Sequence, residues 1–212
     1  MHTLYGSKGS GSAAIEAALI LAGIEHRMVQ AAEWKPEEVK GLEELKKVNP
    51  LGQVPTLLLP DGSVLTESAA ILTYLGLQFP QSHLLPADPS RRGQAIRGLV
   101  FIAANCYVCI GVIDYPERWV DNPDPALRER VIAQTKRRLH GLWDQFADVF
   151  PASPWLSGDR LGALDLLAAV VSKWSGSRQH LAESRPAFHS LLGRIETEPR
   201  VGAVFAAHWP PK

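Results

Sequence analysis

The sequence predicts an α/β N-terminal domain, a mixed four-stranded sheet in the order βαβαββα, followed by an all-α C-terminal helical domain. Three observations carry this. Up to residue 80, short apolar runs alternate with amphipathic segments, the pattern of interleaved strands and helices. After residue 90 strand signals give way to apolar stripes at helical spacing. Between them the stretch 80–89 holds Pro80, Pro86 and Pro89 and little periodicity, as a linker would. The expected units are 1–80, a linker 81–89, and 90–212.

Residues 3–5 read as the first strand. Residues 6–12 are a loop of glycine, serine and one lysine. Residues 13–22 then read as a helix with Ala14, Ala17, Ala18 and Leu21 on its apolar side and Gly23 as its stop. The second strand is expected at 26–30. Residues 37–47 carry charge around Val39, Leu42 and Leu45, a short solvated helix that Asn49, Pro50 and Gly52 end. Two runs, 56–59 and 63–65, flank Pro60, Asp61 and Gly62, which predicts an antiparallel hairpin. Ala69, Leu72, Leu75 and Phe79 keep a helical period over 67–79. In the second unit Ile96, Leu99, Val100, Ala103 and Tyr107 form one stripe, and Leu139, Leu142, Trp143, Phe146 and Phe150 another. Further helices are expected at about 163–175, 186–197 and 199–207, with Pro186 and Pro199 near their starts.

A chain of 212 residues has room for two cores. Its 22 basic and 22 acidic side chains cancel, leaving no electrostatic footprint for nucleic acid or a membrane surface. The expected partner is a small molecule or another protein chain. The apolar run 13–24 is broken by Glu16, so no membrane span of roughly 18 residues is expected. The first residues reach glycine and serine without an apolar signal core, and the chain is expected to stay in the cytoplasm. Its two cysteines, Cys106 and Cys109, fit a reducing compartment. They spell C-x-x-C, but inside a helical apolar stripe and with no second Cys or His pair at zinc spacing, so they read as packing residues. The seven histidines are dispersed, and no metal is expected.

The strongest local signal is the run from Asn49 to Leu57 followed by Glu67 and Ser68. Pro55 stands directly before a strand, where it has no N–H for a ladder and where an X-Pro bond is easily cis. Val54 is then left with a free N–H and C=O, suited to an extended peptide ligand that adds as a strand. Glu67 and Ser68 sit where a strand meets a helix; they either cap the helix or offer its N–H groups to a carboxylate.

Taken with the βαβαββα order, these motifs resemble the cytosolic glutathione S-transferase family. The resemblance is carried by Leu4, Tyr5 and Gly6, by residues 49–57 and 66–75, and more loosely by Gly162 to Asp165, where the family's Asp is kept and its usual Ser or Thr is not. It implies a thioredoxin-like first domain that binds glutathione through Gln53, Val54, Pro55, Glu67 and Ser68, with Lys40 on the glycine carboxylate; Lys35, Lys46 and Lys47 are rivals for that place, and a solvated helix face is the other reading of this cluster. It implies that a hydroxyl lowers the pKa of the glutathione thiol, since the thiolate is the nucleophile. Ser10, five residues after Tyr5, fits the serine-using classes; Ser12 and Tyr5 are the alternatives. The loop has no cysteine, against dithiol exchange from the first helix. The second domain is expected to hold a small hydrophobic electrophile near Cys106, Tyr107, Tyr115 and Trp119, and the chain to form a homodimer. Glutathione is the only co-substrate implied. Conjugation is the activity implied first; glutathione-dependent reduction of disulfides or peroxides, or a non-catalytic binding role, stand beside it.

Overall fold

The computed structural model describes residues 1–32 and 34–210. Strand β1 (His2–Gly6) lies parallel to β2 (His26–Gln30), and α1 (Ser12–Leu21) connects them. A 3-10 turn at Pro36–Glu38 leads into α2 (Val39–Val48). Strand β3 (Thr56–Leu58) runs antiparallel to β1, β4 (Val64–Leu65) antiparallel to β3, and α3 (Ser68–Gln78) follows. The sheet is mixed, in the order β2-β1-β3-β4, as the alternation of segments predicts.

Neighbouring residues of a strand point to opposite faces, and Leu4 and Tyr5 use that rule. Leu4 joins the main core with Leu57, α1 and α3, while Tyr5 packs with Leu42 and Leu45 of α2 and with Ala31 on the other face. The sheet is therefore covered on both sides. Gly41 lets α2 lie against β2, because a Cβ there would stand 1.9 Å from the Gln30 carbonyl oxygen.

The helical region begins with α4 (Pro89–Phe101), which continues through a π-helical segment (Ile102–Tyr107) into α5 (Val108–Asp114). It goes on through α6 (Pro125–Val149), α7 (Ala163–Val171), α8 (Ser177–Ser184), α9 (Pro186–Glu196) and α10 (Gly202–His208). Asp88 and Asp124 cap α4 and α6 by accepting from the N–H of Arg91 at 2.8 Å and of Leu127 at 2.7 Å, each followed by a proline at the first helical position. Every residue of α7 is buried, and the helix packs on α1, α3, α4 and α9. Its Asp165 accepts from the N–H groups of Leu156, Ser157 and Gly162 at 2.8, 3.0 and 3.1 Å. Burial pushes this carboxyl's pKa up while the donors pull it down. The stretch 81–89 is pinned to this helix, for Leu84 and Leu85 are buried and the Leu84 carbonyl accepts from the Ala163 N–H at 2.8 Å.

Three sequence expectations need correction. Helix α8 was not foreseen, because its sequence is polar apart from Ala182 and the buried anchor Leu181. Helix α7 stops at Val171 and α10 starts at Gly202, so Lys173, Trp174 and Pro199 lie in turns. The expectation that no segment is long and apolar enough to span a membrane fails for Pro89–Asp114, 26 continuous helical residues with a window of mean hydropathy 2.0. Residues 98–113 of it carry no charge. Here its inner face, with Leu99, Ile102, Cys106 and Cys109, is buried against α6 and α7.

Candidate functional site

A cavity of about 690 Å³ lies between the loops at one edge of the sheet and the α4–α5 segment. One wall comes from Gly9 to Gly11, Trp34, Leu51 to Pro55 and Thr66 to Ala69. The other comes from Ala103, Tyr107, Val108, Ile110, Gly111, Asp114, Tyr115, Arg118, Leu167 and Trp174.

Three backbone devices converge on the first wall. The Val54–Pro55 peptide bond is cis, and neither the N–H nor the C=O of Val54 has a hydrogen-bond partner among the described residues. The turn is braced from behind by buried Asn49, whose amide donates to Thr56 Oγ1 at 2.9 Å, while Thr56 Oγ1 donates to the Gln53 carbonyl at 2.8 Å. The second device is the start of α3. No side chain caps it, Ser68 Oγ has no partner among the described residues, and the free N–H groups of the first turn suit an anion. Glu67 holds φ at 63°, in the left-handed region, a strain of about 1–3 kcal/mol for a residue with a side chain.

The third device is the serine loop. Ser10 is 7% exposed and lines the cavity. Its hydroxyl donates to the Ser7 carbonyl at 2.8 Å and lies 2.8 Å from Ser12 Oγ. That carbonyl also faces the Ser10 N–H at 3.1 Å and Ser12 Oγ at 3.2 Å. Three donors thus compete for two lone pairs, and Ser10 can turn its proton toward the cavity without orphaning the Ser7 oxygen. Gly11 begins α1 with no side-chain cap.

Of the residues expected at the site, Ser10, Gln53, Val54, Pro55, Glu67, Ser68, Tyr107 and Tyr115 line this one cavity. The others do not. Ser12 is wholly buried behind Ser10, and Tyr5, on the α2 face of the sheet, donates to Glu44 at 3.0 Å. Lys40 is exposed outside the cavity because it lies on the solvent side of α2, while Lys35 reaches the loop, donating to the Lys8 carbonyl at 3.1 Å. Cys106 is wholly buried on the inner face of its helix, and burial raises the pKa of both cysteine thiols. Trp119 is 58% exposed and outside the cavity.

Tyr107 stands closer to the loop than its place in the sequence suggests. A Cβ on Gly11 would lie 2.5 Å from Tyr107 Oη and 3.4 Å from Ser68 Oγ, so the phenol sits where the two helix starts meet. Burial, with Glu67 and Asp114 adding, pushes its pKa to about 12, which keeps it a hydrogen-bond donor. Trp174 packs edge-on against it at 5.6 Å. Sequence reasoning missed Trp34, Asp114, Arg118 and Leu167, for which nothing in their spacing is a signal. Arg118 stacks 4.0 Å over the Tyr115 ring, and among the described residues it is the one cation lining the cavity and forms no ion pair. No group of three or more metal-ligating side chains occurs among the described residues.

Residues 12–78 match the family model described as the N-terminal domain of glutathione S-transferase. The chain is 29% identical to the uncharacterized GST-like protein YncG of Escherichia coli K12, covering 96% of this chain and 97% of that one. It is 31% identical to a maleylacetoacetate isomerase of Pseudomonas aeruginosa, covering 89% and 92%. Among solved structures, a sphingomonad glutathione S-transferase complexed with glutathione aligns with a TM-score of 0.74 at 25% identity, over 99% of this chain and 100% of that one.

Proposed function

The chain belongs to the cytosolic glutathione S-transferase family, and from that premise we propose that it binds glutathione in the cavity, holds its thiol as the thiolate beside Ser10, and adds it to a hydrophobic electrophile. The observation that carries this reading is the position of Ser10 Oγ, on the same cavity wall as the unpaired Val54 backbone and the uncapped start of α3. Glutathione is extended and peptide-like. Its cysteinyl unit pairs with the Val54 N–H and C=O, and its γ-glutamyl carboxylate takes the Ser68 hydroxyl and the N–H groups at the head of α3. Its sulfur then falls at the loop, where Ser10 donates and Ser12 takes over the Ser7 carbonyl.

The energetics are adequate. Lowering a thiol pKa by two units needs about 2.7 kcal/mol. A hydrogen bond to a charged acceptor contributes about 1.5–3 kcal/mol, and the head of α1 another ~0.3–1 kcal/mol. The aromatic wall of Tyr107, Tyr115 and Trp174 supplies apolar surface for the electrophile. We place the protein in the cytoplasm, as a homodimer of units divided at residues 81–89.

A second reading has specific support. A glutathione-dependent isomerase uses the same thiolate, which adds to an unsaturated carbonyl compound and leaves again. It is favoured by the similarity to a maleylacetoacetate isomerase and by Arg118, among the described residues the one cation that lines the cavity.

The test is calorimetric titration with glutathione, followed by turnover of an aryl halide, an activated alkene, a cis-unsaturated keto acid and a small disulfide. Conjugation of the first two is the expected result. Turnover of the keto acid alone moves the assignment to isomerisation, and of the disulfide alone to reduction. No binding at millimolar glutathione would sink both enzymatic readings.

A further inference from the structure

His208, the last residue of α10, is 7% exposed and lies beneath the serine loop. Its Nδ1 accepts from the Gly9 N–H at 3.1 Å. A backbone N–H only donates, so Nδ1 carries no proton, and the imidazole proton sits on Nε2. There it meets Glu16 Oε2 of α1 at 2.8 Å. Each end of the ring thus fixes the role of the other. Glu16 holds the proton on Nε2, which keeps Nδ1 free to accept from Gly9.

Gly9 adjoins Ser10 and has φ of 77°, a left-handed conformation that glycine adopts without strain. Ser10's own bonds run to Ser7 within the loop and to Ser12 and Ala13 at the head of α1, where its carbonyl accepts from the Ala13 N–H at 3.3 Å. They hold Ser10 from its C-terminal side and leave the Lys8–Gly9 side of the loop to other contacts. From outside, Ser7 Oγ donates to buried Glu38 at 3.1 Å and Lys35 holds the Lys8 carbonyl. Among the described residues, the Gly9–His208 bond is the one hydrogen bond that joins this loop to the helical region. Trp209 closes the same spot, with its ring 4.8 Å from Lys173 Nζ and its Nε1 3.7 Å from where a Gly9 Cβ would stand.

We propose that His208 is a positioning residue for Ser10: with Glu16 it locks Gly9 to α1, so that the Ser10 hydroxyl faces the glutathione sulfur. The inference rests on the reading of Ser10 as thiolate donor. It predicts a split in the kinetics. The Val54 and Ser68 contacts are untouched, so losing the lock lowers kcat and raises the pKa of the bound thiol, with little change in KM for glutathione.

The experiment compares the full chain with H208F, which keeps a ring and loses both hydrogen bonds, and with H208N, whose Oδ1 takes the place of Nδ1 and reaches only Gly9. Amide hydrogen exchange at Gly9 and Ser10 is read without ligand; bound-thiolate absorbance against pH, kcat and KM are read with glutathione. In H208F the Gly9 amide exchanges about tenfold faster and kcat falls about tenfold, while H208N recovers most of both. If H208F does not fold, E16L reads the same link, since without the carboxylate the proton is free to move to Nδ1 and break the Gly9 bond. Unchanged thiol pKa and kcat in H208F, or equal losses in H208F and H208N, overturn the inference alone. Failure of the unaltered chain to bind glutathione overturns the functional reading and this inference with it.

Discussion

Gly11 has φ −59° and ψ −17°, a conformation open to any residue, so backbone strain does not explain the glycine. Tyr107 does. A Cβ at Gly11 would come within 2.5 Å of Tyr107 Oη, where ordinary contact begins at 3.4 Å. About 0.9 Å must therefore be absorbed by the phenol on its π-helical segment or by the head of α1, and overpacking of this kind costs about 1–3 kcal/mol. At about 2 kcal/mol, a chain of this length loses roughly 4–8 °C of Tm. The next nearest atoms, Ser68 Oγ at 3.4 Å and Tyr107 Cζ at 3.5 Å, are at ordinary distances, so removing one oxygen relieves the clash. Thermal unfolding of G11A, Y107F and the double variant forms the test. G11A melts lower, and the double variant regains most of the loss relative to Y107F. Additive effects, or a G11A protein as stable as the parent, would refute this placement of Tyr107.

Replacing Asp165 with alanine leaves three N–H donors without partners, two of them buried; at about 1–3 kcal/mol for each buried donor, the loss is at least ~2 kcal/mol, read as a lower denaturant midpoint with unchanged slope. Tyr107 is raised from 10.0 to about 12 in the folded chain, so its contribution to stability is complete below pH 10 and is lost as pH rises toward about 12. Y107F should therefore show a shallower fall in stability over that alkaline range in chemical denaturation. Cys106 and Cys109 are buried with raised thiol pKa values, and a thiolate-selective reagent should label neither until the chain is unfolded; fast labelling of the native protein would contradict their packing role.

The sheet was legible because β-strands alternate faces and because glycine, proline and asparagine punctuate their ends. Residues 49–57 show this best, since Asn49 braces the turn with its side-chain amide, Gly52 takes φ of 62° and Pro55 takes the cis bond. The polar wall of the cavity followed from the same signals. What was not legible depends on contacts between distant parts of the chain. The approach of Tyr107 to Gly11 depends on a π-helical turn that periodicity does not reveal. Tyr5 was a candidate because of its position on β1, and the parity of the strand turned it to the α2 face. Lys40 fell on the solvent side of its helix for the same kind of reason, one position in a helical turn. His208 had no signal at all, being one of seven scattered histidines, until the fold carried it to Gly9.

The most direct measurement is the pKa of the glutathione thiol when bound, taken from thiolate absorbance against pH in the parent chain and in S10A, with glutathione affinity measured alongside. S10A should bind glutathione within a few-fold of the parent, because the Val54 and Ser68 contacts remain, while the bound thiol rises by about one to two units toward the free value near ~8.5. An unchanged thiol pKa in S10A with full turnover would contradict the assignment of Ser10.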